Sequence, residues 1–219
     1  MQKLVDLTIK QDWNKVRQVF DTLNKKRLLG QLDSNKQDLD SIGMAQYDIG
    51  KFGSMSVDTG KIVGKSTYGN GWTEFSGPLL ISLLPWTKQA KELFKNVGLI
   101  SINWITIRAS VNLHTDYMNF DDINAPYYVN STDKKNQQCK LNYIVSSLDP
   151  DAVTISYDHH DTTKTWQTKS IPDTAFLLNP EYPHEVKNTG YREILTFLFN
   201  NDYKVVSEFF DRQGPIKFE

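Results

Sequence analysis

The chain has 219 residues, enough for one domain or one core with an added N-terminal segment. Apolar residues make up 39% of it and aromatics 12%, which excludes a disordered chain. Its 25 basic and 26 acidic residues leave a net charge of -1, which excludes a broad basic field for nucleic acid. Its one cysteine, Cys139, excludes an internal disulfide, and the longest apolar run, Pro78 to Trp86, is too short to span a membrane.

From the N-terminus, Met1 to Lys10 alternates polar and apolar residues without the continuous apolar run of a signal peptide. With the lone thiol, this gives the expectation of a soluble, cytoplasmic protein. Residues 12 to 28 carry Trp13, Val16, Val19, Phe20 and Leu23 at helical spacing, with basic residues between them, so an amphipathic helix is predicted there. From Gly30 to Gly77 periodicity weakens and glycines mix with aromatics, as in Tyr47 to Gly53 and Tyr68 to Trp72. An irregular segment of that length is either functional or mobile, and its part from Tyr47 to Trp72 is expected to form a lid or substrate wall. A second helix is expected from Thr87 to about Asn96, with Thr87 as N-cap and Gly98 just past the end.

After Gly98 the grain changes to strands. Leu99 to Asp116 alternates, with Ile100, Ile102, Trp104, Thr106 and Arg108 on one face and Ser101, Asn103, Ile105 and Ile107 on the other. Further strands are predicted at Cys139 to Ser147, Val153 to Asp158, Thr163 to Thr168, Thr174 to Asn179, His184 to Asn188 and Tyr191 to Asn200. Asn188-Thr189-Gly190 reads as a hairpin turn and Asp158 to Asp161 as a hairpin tip. The expectation is a mainly β fold, a sandwich or barrel buttressed by N-terminal helices. Residues 1–98 form a helical and irregular segment packed on a core at 99–219, one compact domain in all.

The histidines carry the functional signal. His114 and Asp116 stand two apart where a strand is ending, so period-two geometry puts an imidazole and a carboxylate on one face. Such a pair makes two adjacent corners of an octahedral metal site, and an imidazole from another strand would complete a facial triad. A surface His–Asp hydrogen bond is the alternative. Further on, a strand leads through Asn179-Pro180-Glu181-Tyr182-Pro183 to His184-Glu185-Val186-Lys187-Asn188. A glycine turn follows, and then Arg192 opens an apolar strand.

In these words residues 99 to 200 resemble the Fe(II)/2-oxoglutarate-dependent dioxygenases, whose pattern is His-x-Asp, a long gap, then His, a turn and a basic residue. The resemblance implies a double-stranded β-helix (a jelly-roll or cupin-like barrel). It further implies Fe(II) held by His114, Asp116 and His184, with 2-oxoglutarate and O2 as co-substrates and hydroxylation with release of succinate and CO2. Arg192 would take the far carboxylate of the co-substrate through its guanidinium fork; the alternative is a strand arginine paired with Glu193 or Glu185. A polar helper is expected from Asn142 or Tyr143, which point to opposite faces of one strand. Trp104 and Arg108 share the His114 face only if that strand runs without a bulge.

Two departures matter. The glycine usual at the start of the strand before the distal histidine is replaced by Pro172-Asp173-Thr174. Ile194 stands where an arginine-x-serine subgroup would have a hydroxyl, which favours the prolyl-hydroxylase-like branch. His159 and His160 sit in a polar tip and read as solvated. Tyr182 lines the mouth or packs beneath its own loop, while the loop from Tyr117 to Lys135, with Asp121, Asp122, Tyr127 and Tyr128, is a second candidate substrate wall. Competing readings are a cupin-type metal-dependent isomerase or zinc hydrolase, and a non-catalytic binding barrel. For the primary substrate, a protein side chain or metabolite is favoured over nucleic acid.

Overall fold

In the computed structural model of the chain, the alternating run that begins at Leu99 is two strands. The structure describes residues 1–19, 44–47, 55–56, 61–62, 72–75, 84–107, 110–114 and 139–219. The N-terminal part contributes β1 (Gln2–Val5), β2 (Leu7–Ile9), helix α1 at residues 13–19, β3 (Met44–Tyr47), β4 (Met55–Ser56), β5 (Lys61–Ile62), β6 (Trp72–Phe75) and helix α2 (Thr87–Leu93). There follow β7 (Leu99–Ile107), β8 (Val111–His114), β9 (Cys139–Ser147), β10 (Val153–Tyr157), β11 (Thr165–Lys169), β12 (Ala175–Leu178), β13 (His184–Lys187) and β14 (Arg192–Phe199). Helix α3 (Tyr203–Gln213) and β15 (Ile216–Phe218) close the chain.

The strand order defines the architecture. The larger sheet runs β1-β12-β9-β14-β7-β6-β3 and the smaller β11-β10-β13-β8. Taken in sequence, β7 to β14 leave the larger sheet at β8, return at β9, leave for β10 and β11, and return at β12. They leave again at β13 and return at β14. Every pairing among these eight strands is antiparallel. This winding of one chain through two facing four-stranded sheets is a double-stranded β-helix, and the fold is mainly β.

That winding corrects the sequence reading in one place. Asn188-Thr189-Gly190 is not a hairpin turn, because β13 pairs with β8 and β10 while β14 pairs with β7 and β9. It is a corner between sheets, and side chains hold it. The Asn188 amide donates to the Gly190 carbonyl at 2.5 Å, and Asp149 accepts from the Thr189 backbone N–H at 2.7 Å. By contrast β10 and β11 are a true hairpin whose tip lies at residues 158–164.

The two faces of the larger sheet have different partners. Leu141, Tyr143, Leu195, Phe197, Phe199, Ile102 and Trp104 face a large core that includes Val16, Trp86, Phe94, Val206 and Phe210 from the helices. The opposite face presents Ile105, Ile107, Ile144, Phe176, Leu178 and Ile194 to the interior of the barrel, where Val111 and Val186 of the smaller sheet meet them. Every residue of β14 is buried, as expected for a central strand covered on both sides.

The segment 1–98 is more extended than expected. β1 extends the larger sheet beside β12, and β2 pairs in parallel with β15. Strands of three or four residues give too short a window for period-two alternation to declare itself. Thr87 is the first helical residue rather than the cap, its hydroxyl donating to the Leu84 carbonyl at 2.7 Å. α3 went unread in the sequence, although Asp202 caps it through the Val205 N–H and Gly214-Pro215 ends it. Residues 20–28 of the predicted helix, most of the Gly30 to Gly77 stretch and the Tyr117 to Lys135 segment lie outside the described residues.

Candidate active site

The barrel interior holds a cavity of about 50 Å³ lined by most of these aliphatic residues, Ile144 excepted, together with Lys140, Asn142, Thr154, His184, Arg192 and Thr196. Apolar walls carrying a few convergent polar groups are the usual make-up of a small-molecule site.

His184 opens β13 and is 3% exposed. Its cross-strand partner is His114, the last residue of β8. The backbone register therefore sets two histidines, seventy residues apart in sequence, directly opposite one another. The His184 Nδ1 lies 2.9 Å from the Tyr182 carbonyl oxygen. A carbonyl only accepts, so Nδ1 carries the proton and Nε2 carries the lone pair. This is the arrangement by which a second contact fixes a metal-ligating tautomer. Asp116, two residues beyond His114, lies outside the described residues, as does Arg108. Among the described residues no three His, Cys, Asp or Glu side chains form a metal cluster.

Arg192 lines the same cavity. It opens β14, paired with Ile107 on one side and Ser147 on the other, and is 2% exposed. Nη1 donates to Ser170 Oγ at 2.8 Å and Thr154 Oγ1 at 3.3 Å, while Nε is buried without a partner. Burial pulls the guanidinium pKa down to about 10. The anticipated alternative partners are engaged elsewhere. Glu193, on the other face of β14, accepts from Arg17 at 2.7 Å and from Tyr191 at 3.0 Å, and Glu185 meets Tyr157 and Lys187. Among the described residues, then, no carboxylate pairs with this buried cation. Burying a charge without a counter-ion is costly, and an incoming anion would relieve that cost.

The vertical spacing is informative. Thr154, which touches the guanidinium, and Ser156, which faces His184 across the ladder, stand two residues apart on β10. Two strand residues span about 6.7 Å. A five-carbon diacid measures about 5 Å between its terminal carbons, from bonds of ~1.5 Å. One end can therefore reach Arg192 while the other lies at the height of the histidine pair.

Asn142 and Tyr143 part as strand geometry requires. Asn142 faces the cavity and accepts from Thr196 Oγ1 at 2.8 Å. Tyr143 is not at the cavity: it lies in the helix-side core beside Trp13, and its hydroxyl donates to Asp173 at 2.6 Å. Trp104 is likewise on the helix side, and because β7 and β8 belong to different sheets no single face runs from Trp104 to His114. Asp173 adopts φ 63°, the left-handed conformation that a glycine at this position would supply freely. His159 and His160 are exposed at the hairpin tip, with His159 packed on the Tyr182 ring at 4.6 Å. Thr154, Ser170 and Thr196 were not singled out in the sequence, since isolated hydroxyl residues in strands carry no spacing signal.

No family model and no curated protein sequence matches this chain. Solved structures similar to it include a Pseudomonas putida prolyl-4-hydroxylase, at 12% identity and TM-score 0.41, covering 78% of this chain and 98% of the other. A second is an oxidoreductase of the 2OG-Fe(II) oxygenase family from Burkholderia pseudomallei, at 10% identity and TM-score 0.40, covering 62% and 72%. A third is a cupin superfamily protein from Desulfitobacterium hafniense, at 13% identity and TM-score 0.27. There the match covers 45% of this chain and 65% of the cupin, just under two thirds of its length. The fold assignment rests on the strand order. No helix among the described residues is long and apolar enough to cross a membrane.

Proposed function

We propose that this chain is an Fe(II)- and 2-oxoglutarate-dependent oxygenase that hydroxylates a protein side chain or small metabolite, with release of succinate and CO2. The observation that carries the proposal is a buried Arg192 without a carboxylate partner among the described residues, its Thr154 contact standing two residues along β10 from the level of the His114–His184 pair.

The donor set fits the metal. His114 and His184 would supply two imidazoles and Asp116 a carboxylate, the set suited to Fe(II) with positions left open for ligands. Bound there, the iron would activate O2 at the expense of the 2-oxo acid. The chain's own part is positional. Tyr182 holds the His184 proton on Nδ1 so that Nε2 faces the metal position. Arg192 meets the far carboxylate of the co-substrate with two parallel hydrogen bonds. Asn142 and Thr196 offer polar contacts midway, and the aliphatic lining of β7, β13 and β14 excludes water from the reacting centre. A cytoplasmic setting would suit the buried, unpaired Cys139 thiol.

The test is succinate formation from 2-oxoglutarate with Fe(II), measured alongside iron binding in His114→Ala and His184→Ala. Iron-dependent succinate in the wild type, with iron binding lost in both folded variants, supports the reading. Metal-dependent turnover without 2-oxoglutarate would favour a cupin-type isomerase or hydrolase. Unchanged iron binding in both variants would remove the triad assignment.

A further inference from the structure

The guanidinium of Arg192 is gripped from the facing sheet. Its own strand supplies no hydroxyl two residues on, where Ile194 stands, and Ile194 is packed in the barrel core. Instead Ser170 Oγ, just past β11, and Thr154 Oγ1, on β10, both take Nη1. The two residues are 5% and 3% exposed, and the Ser170 backbone N–H is tied to the Ala152 carbonyl at 2.8 Å, so neither hydroxyl is free to follow a moving arginine. These contacts use one terminal nitrogen. They leave the edge formed by Nε and Nη2, and Nε is the buried atom without a partner. A guanidinium held by one corner presents its remaining edge at a fixed height and angle, and that edge is a two-pronged donor for a carboxylate. Each hydroxyl, while accepting from Nη1, also keeps an O–H of its own to donate.

We propose that Ser170 and Thr154 are positioning residues that lock Arg192 through Nη1, and that the height thus set for its Nε–Nη2 edge selects a five-carbon 2-oxo diacid over four- and six-carbon ones. The proposal rests on the co-substrate reading above. One methylene moves a terminal carboxylate by about 1.3 Å along an extended chain of ~1.5 Å bonds, more than a charge-assisted hydrogen bond tolerates without weakening. A flexible arginine would follow such a change. A tethered one does not.

The experiment is calorimetric binding to the full chain loaded with Zn(II), where no turnover occurs. The probes are 2-oxoglutarate, the four-carbon oxaloacetate and the six-carbon 2-oxoadipate. Wild type is expected to bind 2-oxoglutarate at least about tenfold more tightly than either neighbour. Ser170→Ala is expected to raise the Kd for 2-oxoglutarate about tenfold, the worth of one hydrogen bond to a charged group, and to narrow the ratios to the other acids. Ser170→Thr should restore both, and Zn(II) affinity should not change. Thr154→Val carries the same comparison should Ser170→Ala not fold. Wild-type affinity and an unaltered order of preference in both variants would overturn the positioning role while leaving the co-substrate site intact. A wild type that binds none of the three acids would overturn the co-substrate reading itself.

Discussion

Replacing Arg192 by methionine separates a ligand-receiving arginine from a structural one. Burial lowers the guanidinium pKa from 12.5 to about 10, so the charged form is disfavoured in the folded chain by roughly 3.5 kcal/mol at ~1.4 kcal/mol per unit. A methionine side chain would lift that penalty and fill a similar volume with apolar atoms. Against it stand the two hydrogen bonds to Ser170 and Thr154, whose loss, as bonds to a charged group, costs about 1.5 kcal/mol each. The ligand-free variant is therefore expected to lie within about 1 kcal/mol of wild type, or roughly 2–4 °C in Tm for a chain of this length. An arginine paired with a buried carboxylate would behave oppositely, its removal costing about 3–5 kcal/mol. The assay is thermal melting of the Zn(II)-loaded chain with and without 2-oxoglutarate. At about 100 times its Kd the ligand should stabilise wild type by ~2.7 kcal/mol, or roughly 5–10 °C. Arg192→Met should lose most of that shift. A ligand-free variant melting more than about 3 kcal/mol below wild type, or one that keeps the full ligand shift, would refute the reasoning.

Three further outcomes follow from the contacts described above. Asn142→Leu should weaken 2-oxoglutarate binding about tenfold in calorimetry. Tyr143→Phe, which alters only the helix-side contact with Asp173, should leave that Kd unchanged. Glu193→Ala should cost roughly 3 kcal/mol in urea unfolding, because the buried carboxylate receives Arg17, Ser146 and Tyr191. Amide exchange at residues 13–19 should then rise as the tether of α1 is lost. Asp149 is held below the usual carboxylate range, first by the Thr189 N–H and then by that of Asp151. A depressed acid stabilises the fold above its unfolded pKa and loses that contribution as pH falls through the folded value. The Tm gap between wild type and Asp149→Asn should therefore be open at pH 7 and narrow as pH drops below 3.8; a gap that does not narrow on acidification would contradict this.

Much of the barrel was legible because its strands are long or buried on one consistent face. β9 and β14 alternate or run apolar for eight or nine residues, enough for the period to declare itself. The motif words around His184 and Arg192 marked the two polar groups that open β13 and β14. β1, β2 and β15, of three or four residues, were beyond that method. α3 had its cap and stop signals in plain sight but no chemistry to draw attention to it.

Sequence alone determined the mainly β character, the candidate histidines and the burial of Arg192, because strand periodicity and local motifs are properties of neighbouring residues. Tertiary structure decided which strands face one another. It opposed His114 to His184, sent Asn142 to the cavity and Tyr143 away from it, and turned an apparent hairpin at Asn188 into a corner between sheets. It also brought Ser170 and Thr154 across to Arg192 from the opposite sheet. Pairing of that kind depends on register across long loops and on the alternation of strands between two sheets, which no window of neighbouring residues contains.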